Sequence, residues 1–159
     1  MLSITIIAVG KIKEKYFTDA IAEYSKRLGR YCKLDIIEVK DEATPDNPSD
    51  KERDAVLIKE GERILDKLPK NAFVIPLCIE GEAQSSIRFS KLISRVSNTH
   101  SEIAFIIGGS MGLCEEIKKR ADFKLSFSEM TFPHQLMRVI LLEQIYRAFN
   151  ISEGGKYHK

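Results

Sequence analysis

The chain has 159 residues, 43% hydrophobic and 30% charged, with a net charge of +2, which predicts a single domain, residues 1–159, whose core needs no disulfides. Its three cysteines, Cys32, Cys78 and Cys114, are far apart and include no C-x-x-C pair, which argues against a zinc site or disulfide framework. The sequence shows no signal-peptide pattern and no apolar run of about 20 residues, so we expect a soluble, cytoplasmic protein.

Short apolar runs alternate with helical segments along the chain, as in a mostly parallel α/β sheet. Strands are predicted at residues 4–9, 34–39, 72–79, 103–107 and 123–126. Helices are predicted at 16–28, from a capping box at Ser49 and Glu52 to about 68, at 86–97, at 114–120 and at 133–149, with one clear loop at 41–49. We expect helices on both faces of the sheet, because the runs at 73–79 and 103–107 are nearly all apolar.

Basic residues are concentrated around the first predicted helix. Between Lys11 and Lys33 the chain has seven basic and three acidic residues, although the net charge of the whole chain is small. Such a segment can bind a phosphate backbone. A solvated amphipathic helix explains the same pattern equally well.

Three predicted turns follow the carboxyl ends of strands, at residues 80–82, 108–109 and 127–132. Ligands bind at this edge of open parallel sheets, so we expect the three turns to form one pocket. Gly108 and Gly109 would let the backbone approach a bound molecule closely. A tight strand-to-helix turn would also explain these two glycines.

The common nucleotide, hydrolase and metal motifs are absent. A single glycine, Gly10, follows the first strand, whereas a dinucleotide-binding fold requires G-x-G-x-x-G. The sequence contains no phosphate-binding loop, H-E-x-x-H motif or paired cysteines, and we expect no metal. The segment 108–112 lacks the spacing of a nucleophile elbow, and Ser110 is predicted to cap a helix.

The last predicted helix has polar residues at its start and apolar residues around most of its circumference. Pro133 suits the first helical position, and His134 and Arg138 follow on one face, where the helix dipole favours negative charge. These two side chains are predicted to act in an active site, although a capped, salt-bridged first turn would use the same residues. The apolar circumference predicts burial on two sides and hence a homodimer, with Glu143 and Arg147 as an i, i+4 pair.

Three stretches together resemble a known family: IIGGSMGL, LSFSEMTFPHQLMRVILLEQIYRA and the terminal Tyr157-His158-Lys159. With the opening ITIIAVGKIK and the segment LCIEGEAQSS, the pattern is similar to SPOUT-class RNA methyltransferases, specifically the RlmH family, which methylates N3 of a pseudouridine in large-subunit ribosomal RNA. The resemblance covers essentially the whole chain. It implies a SPOUT-type fold with a C-terminal trefoil knot, a homodimer and S-adenosylmethionine as cofactor. Sequence patterns alone do not suggest a knot, because threaded chains are rare.

The resemblance also implies which residues form the methyl-donor pocket. They are Leu77, Gly108, Phe127, Ser128, Glu129, Met130, Thr131 and Phe132, most of which belong to the three turns above. Backbone groups would recognise the adenine edge, and the side chains of Leu77, Met130 and Phe132 would surround the ring. The donor has no phosphate, so no phosphate-binding loop is needed.

The implied reaction moves a methyl group to an imide nitrogen that must lose its proton. The implied catalytic residues are His134, Arg138, Tyr157 and His158. Arg138 would stabilise the developing anion or bind a phosphate, and His134 or His158 would accept the proton. Tyr157 and His158 would complete the pocket across the dimer interface, from a tail that orders when RNA binds. RNA contacts are expected from Arg138, Lys156, Lys159, Lys11, Lys13 and Lys15.

Two other classes of protein remain open at this point. A non-catalytic, ribosome-associated RNA-binding protein would share the basic segments and the apolar last helix, but would not bind S-adenosylmethionine. A cysteine hydrolase using Cys78 or Cys114 with His134 would need a reactive thiol, whereas buried thiols are mostly inert.

Overall fold

The structure is a computed structural model and describes residues 1–158. Its elements are β1 (Ser3–Val9), α1 (Lys15–Leu28), β2 (Lys33–Val39), α2 (Asp50–Lys67), β3 (Phe73–Ala83), α3 (Ser86–Ser97), β4 (Glu102–Ile107), α4 (Glu115–Arg120), β5 (Leu125–Ser126) and α5 (His134–Ser152). The strands lie in the order β2-β1-β4-β3-β5, and each neighbouring pair is parallel. The predicted parallel α/β sheet is confirmed.

Helices cover both faces of the sheet. Alternate residues of β1 face opposite sides: Ile4, Ile6 and Ala8 belong to one core cluster, and Ile7 and Val9 to the other. The first cluster contains residues of α1, α3 and α5, and the second contains residues of α2 and α4. Strands buried on both faces therefore consist almost entirely of apolar residues.

Most elements begin and end within two residues of their predicted bounds. The capping box is present, since Ser49 Oγ accepts the Glu52 N–H at 3.1 Å and Glu52 Oε1 accepts the Ser49 N–H at 3.1 Å. Two details of the last helix differ from the prediction. Helix α5 continues to Ser152, and Pro133 is its N-cap, not its first residue.

The largest difference is in β3, which continues to Ala83 where the sequence predicts a turn at residues 80–82. Gly81 makes the continuation possible, because a Cβ there would lie 2.9 Å from the carbonyl carbon of Leu125. Only glycine lets the two backbones approach this closely. β3 pairs with β5 at Leu77 and again at Glu82, with a shift of register between them.

Helix α5 is the longest helix, with 19 residues. Within residues 1–158, no helix combines the length and the apolar character needed to cross a membrane. The buried side of α5 consists of Arg138, Leu141, Leu142, Ile145 and Ala148. On the opposite side, Leu136, Val139 and Ile140 form an i, i+3, i+4 stripe that is half-buried and outside both core clusters of the described chain.

Candidate active site

A cleft opens at the carboxyl edge of the sheet, where β3 and β4 separate. The two strands pair from Phe73 to Pro76 on β3 and no further, and β3 rejoins β5 at Glu82. The space between them has a volume of about 420 Å³, within the range of about 300 to 1,000 Å³ typical of small-molecule sites. It is bounded by the loops after β4 and β5, at the edge where the sequence predicts a pocket. We call it the donor cleft.

The donor cleft brings together seven of the eight residues predicted to bind a methyl donor: Leu77, Gly108, Phe127, Ser128, Met130, Thr131 and Phe132. Glu129 is exposed and lies outside this lining. Leu77 lies within β3, not at its end, beside the shift of register. Met130 is 74% exposed, so one wall of the cleft is open to solvent.

The loop after β4 is a tight backbone turn. The Gly112 N–H donates to the Gly109 carbonyl at 3.1 Å, and Gly112 has φ 86°, a left-handed conformation that favours glycine. A Cβ on Gly108 would lie 2.5 Å from the Gly112 carbonyl oxygen, so a side chain there requires the loop to move. Ser110 lies in this turn; its predicted capping role is wrong, because Cys114 is the N-cap of α4.

His134 and Arg138 lie one turn apart on α5 but have different surroundings. His134 is half-buried and lines the donor cleft. Arg138 is 2% exposed; its Nη1 is 2.5 Å from Glu38 Oε2, and its Nη2 donates to the Gly10 carbonyl at 2.7 Å. A buried, paired guanidinium does not reach RNA or a reacting anion. Arg138 therefore links α5 to Glu38 and to the Gly10 carbonyl, an arrangement that does not support the predicted contact with a phosphate.

Glu38 lies at this edge of the sheet and was not among the predicted site residues. Its carboxylate pairs with Arg138 and also accepts the N–H of Ile12 at 3.1 Å. It thus connects the end of β2, the loop after β1 and the first turns of α5. The sequence does contain a signal for Glu38: it is an acidic residue in the next-to-last position of a predicted strand, at the edge of the sheet where a ligand site is expected.

Replacing Glu38 with alanine is expected to lower the free energy of unfolding by about 3 kcal/mol, because the buried guanidinium loses its counterion. The side chain of Arg138 is 2% exposed and that of Glu38 is 35% exposed. Most of the loss in stability therefore comes from leaving the buried charge of Arg138 unpaired. Urea unfolding of both proteins measures the difference. The matched control is Glu23→Ala, which breaks the exposed pair with Arg27 and should cost less than about 1 kcal/mol. Equal costs for both variants would contradict this role of Glu38.

The imidazole of His134 is suited to accept a proton. Burial lowers its pKa below the usual 6.5, the neighbouring charge of Arg138 lowers it further, and Asp41 raises it by a smaller amount. The ring is therefore neutral at pH 7. A Cβ on Gly10 would lie 3.6 Å from His134 Nε2, so the end of β1 lies beside this ring.

The tail lies on the other side of α5. The Tyr157 hydroxyl donates to Glu143 Oε2 at 3.0 Å, and His158 Nδ1 is 3.1 Å from Arg147 Nη1. The predicted pair of Glu143 and Arg147 is present at 2.7 Å. With about 100° of rotation per residue, Arg147 lies about 140° around the helix from His134. A single chain therefore does not bring the four predicted catalytic residues together.

The lysines predicted to contact RNA have different surroundings. Lys11, Lys13 and Lys156 are exposed. Lys15 forms an exposed ion pair with Asp19 at 2.7 Å. Lys159 lies outside the described residues.

Cysteine and metal chemistry find no support in the described chain. Cys78 lines the donor cleft, but burial raises its pKa to about 11, so the thiol stays protonated at neutral pH and is a poor nucleophile. Cys114 is buried at the start of α4. Across residues 1–158, no group of three or more His, Cys, Asp or Glu side chains could hold a metal ion.

Comparison with known proteins gives the family. The family model described as "Predicted SPOUT methyltransferase" matches residues 2–158. The chain belongs to the SPOUT methyltransferase family. A relative from Methanococcus maripaludis, "Putative ribosomal RNA large subunit methyltransferase H", is 62% identical over 159 residues, covering 99% of this chain and 100% of its own length. "Ribosomal RNA large subunit methyltransferase H" from Clostridium kluyveri is 57% identical with the same coverage.

A solved structure supports the fold of this SPOUT methyltransferase. The probable methylase family protein from Haemophilus influenzae superposes with a TM-score of 0.57 at 14% sequence identity. The match covers 100% of this chain and 72% of that protein. The predicted SPOUT-type α/β fold is confirmed, and the trefoil knot stays a prediction.

Proposed function

We propose that this SPOUT methyltransferase transfers the methyl group of S-adenosylmethionine to N3 of a pseudouridine in the 23S ribosomal RNA of the large subunit. The observation that carries the proposal is the donor cleft, in which the loops after β4 and β5 meet and His134 lies at the wall. The choice of ribosomal RNA follows from the names of the full-length relatives. We expect the protein to work in the cytoplasm, where ribosomal RNA is present.

The residues of the donor cleft fit an adenosyl sulfonium. Its lining combines the bare backbone at Gly108 with the apolar side chains of Leu77 and Phe132. The cleft also contains two cations, Arg53 and Lys118, and the charge of Lys118 is paired with Glu80 at 2.6 Å. S-adenosylmethionine, when bound, supplies an already activated methyl group. Leu77 and Phe132 would hold the adenine ring, and the loop backbone would recognise its polar edge.

A homodimer with a C-terminal trefoil knot is part of the proposal. The stripe of Leu136, Val139 and Ile140 continues along the same side of α5 to Glu143 and Arg147, with which the tail makes contact. Pairing two such faces would bury the apolar stripe. The tail would then lie at the subunit interface, where it could complete the site of the partner.

Replacing His134 with asparagine is expected to lower kcat by about a hundredfold and to remove the acid limb of the pH profile. In the parent enzyme, activity falls as the pH decreases through the lowered pKa of His134, because a protonated imidazole cannot accept the N3 proton. The acid limb of kcat/KM should therefore lie below about pH 6.5. Initial rates between pH 5 and 9 measure it.

Two other histidines provide the comparison. His100→Asn is the matched control, because that ring packs against Phe73 with centroids 5.3 Å apart, at the amino edge of the sheet. Its pH profile should equal that of the parent. An acid limb that persists in His134→Asn and disappears in His158→Asn would assign the proton to the tail instead.

The function is tested by incubating the purified protein with labelled S-adenosylmethionine and with ribosomes or isolated subunits, followed by mapping of the labelled nucleotide. We expect one labelled pseudouridine in 23S ribosomal RNA. Calorimetry with the donor provides an independent readout. A protein that binds the RNA but neither binds the donor nor transfers its methyl group would be a non-catalytic RNA-binding protein.

A further inference from the structure

A second cleft lies beside the donor cleft, at the carboxyl ends of β1 and β2. It has a volume of about 700 Å³, and its lining includes Lys11, Lys13 and Lys40. His134 lines both clefts. The two spaces are therefore neighbours that share one histidine as a wall.

The lining of the second cleft is cationic. Lys11, Lys13 and Lys40 are all exposed. Of the two carboxylates in the lining, Glu38 is paired with the buried Arg138, which leaves Asp41 against three lysines. This excess of positive charge attracts an anion.

The loop of residues 10–13, here called the lysine loop, is held in place through its backbone. Arg138 and Gln135 of α5 donate to the carbonyls of its first two residues at 2.7 and 3.4 Å, and Glu38 accepts the N–H of its third residue at 3.1 Å. These contacts use only backbone atoms of the loop. The lysine side chains are therefore not needed to hold it, and the helix that carries His134 positions the loop.

We propose that the second cleft binds the sugar-phosphate backbone of the RNA strand next to the target nucleotide, with Lys11, Lys13 and Lys40 as phosphate ligands. The inference rests on the proposed function, which supplies the RNA. Because His134 borders both clefts, a strand bound here lies beside the donor cleft. Arg138 and Glu38 are positioning residues for this contact.

The double variant Lys11→Ala/Lys13→Ala tests the inference in the methyl-transfer assay. We expect KM for the RNA substrate to rise about tenfold, with kcat within about twofold of the parent, because phosphate contacts strengthen binding without taking part in the chemistry. The slope of log affinity against log salt should decrease by about 1 for each lysine removed. Calorimetry should show unchanged affinity for S-adenosylmethionine.

The matched control is Lys67→Ala/Lys70→Ala, which removes the same charge. Both lysines are exposed and precede β3, at the opposite edge of the sheet from the second cleft. KM and the salt slope should stay at the values of the parent. An effect equal to that of the lysine-loop variant would indicate a response to total charge and would overturn the inference.

Filter binding of large-subunit ribosomal RNA separates this inference from the proposed function, because it requires no methyl transfer. Equal affinities and salt slopes for the parent and Lys11→Ala/Lys13→Ala overturn the inference. Inorganic phosphate is added as a competitor of the RNA. If phosphate alone displaces the RNA, the second cleft is a site for a single phosphate and not for an RNA strand. A parent that binds RNA through these lysines but transfers no methyl group overturns the proposed function only.

Discussion

A variant that lacks residues 157–159 is expected to lose methyl transfer by at least about a hundredfold, because positioned acid–base groups contribute about 10²- to 10⁴-fold. Its affinity for S-adenosylmethionine should stay close to that of the parent, since the donor cleft is lined by residues of other segments. Single-turnover rates measure the first effect and calorimetry the second. Thermal unfolding of the variant provides the control for folding. Unchanged turnover would remove the tail from the mechanism.

The position of the tail explains why we expect a shared active site. Tyr157 and His158 contact Glu143 and Arg147, on the side of α5 that faces away from His134. Within one chain, this arrangement keeps the tail out of its own donor cleft. The tail would serve the donor cleft of the partner if the dimer forms through the same side of α5.

Mixed dimers test this arrangement directly. One subunit lacks residues 157–159, and the other carries Gly108→Ala, so that each homodimer is impaired. A mixed dimer contains one intact cleft and one intact tail on different subunits. Random exchange of subunits should restore about a quarter of the parent activity, because half of the dimers are mixed and each has one complete site. Dimers that exchange subunits without recovering activity would contradict the shared site.

The place of the donor cleft was predictable because it follows from the direction of the strands. Nearly continuous apolar runs at 73–79 and 103–107 indicate a parallel sheet covered on both faces, and ligands bind at the carboxyl edge of such sheets. Local sequence motifs also predicted where helices begin, as the capping box at Ser49 illustrates for α2. The resemblance to a known family then supplied the eight predicted donor-binding residues, of which Glu129 alone lies outside the cleft.

The surroundings of Arg138 were not predictable from local pattern. Its carboxylate partner is 100 positions away in the sequence and its carbonyl partner 128 positions away. The spacing of His134 and Arg138 shows that they share a face of one helix, but it does not show which of them faces the core. The continuation of β3 past Gly81 was not predictable for the same reason, because it depends on pairing with β5, which is distant in the sequence.

Replacing Gly108 with alanine is expected to weaken binding of S-adenosylmethionine by more than about a hundredfold, which corresponds to about 2.8 kcal/mol. The added Cβ would lie 2.5 Å from the Gly112 carbonyl oxygen and 2.8 Å from its carbonyl carbon, and both atoms are backbone. The loop must therefore open, and the wall of the donor cleft moves with it. Calorimetry measures the affinity, and thermal unfolding verifies that the variant is folded.

Two further glycines make the experiment specific to the loop. At Gly109 a Cβ would lie 3.2 Å from Val9 Cγ1, a longer distance and to a side-chain atom, not to backbone, so Gly109→Ala should weaken binding less than Gly108→Ala. At Gly29 the backbone is helical, with φ −57°, and a Cβ would lie 3.4 Å from the Lys26 carbonyl oxygen, an ordinary contact. Gly29→Ala should therefore leave the affinity unchanged. If Gly108→Ala binds the donor as tightly as Gly29→Ala does, the loop after β4 does not hold the donor, and the donor cleft must have another ligand.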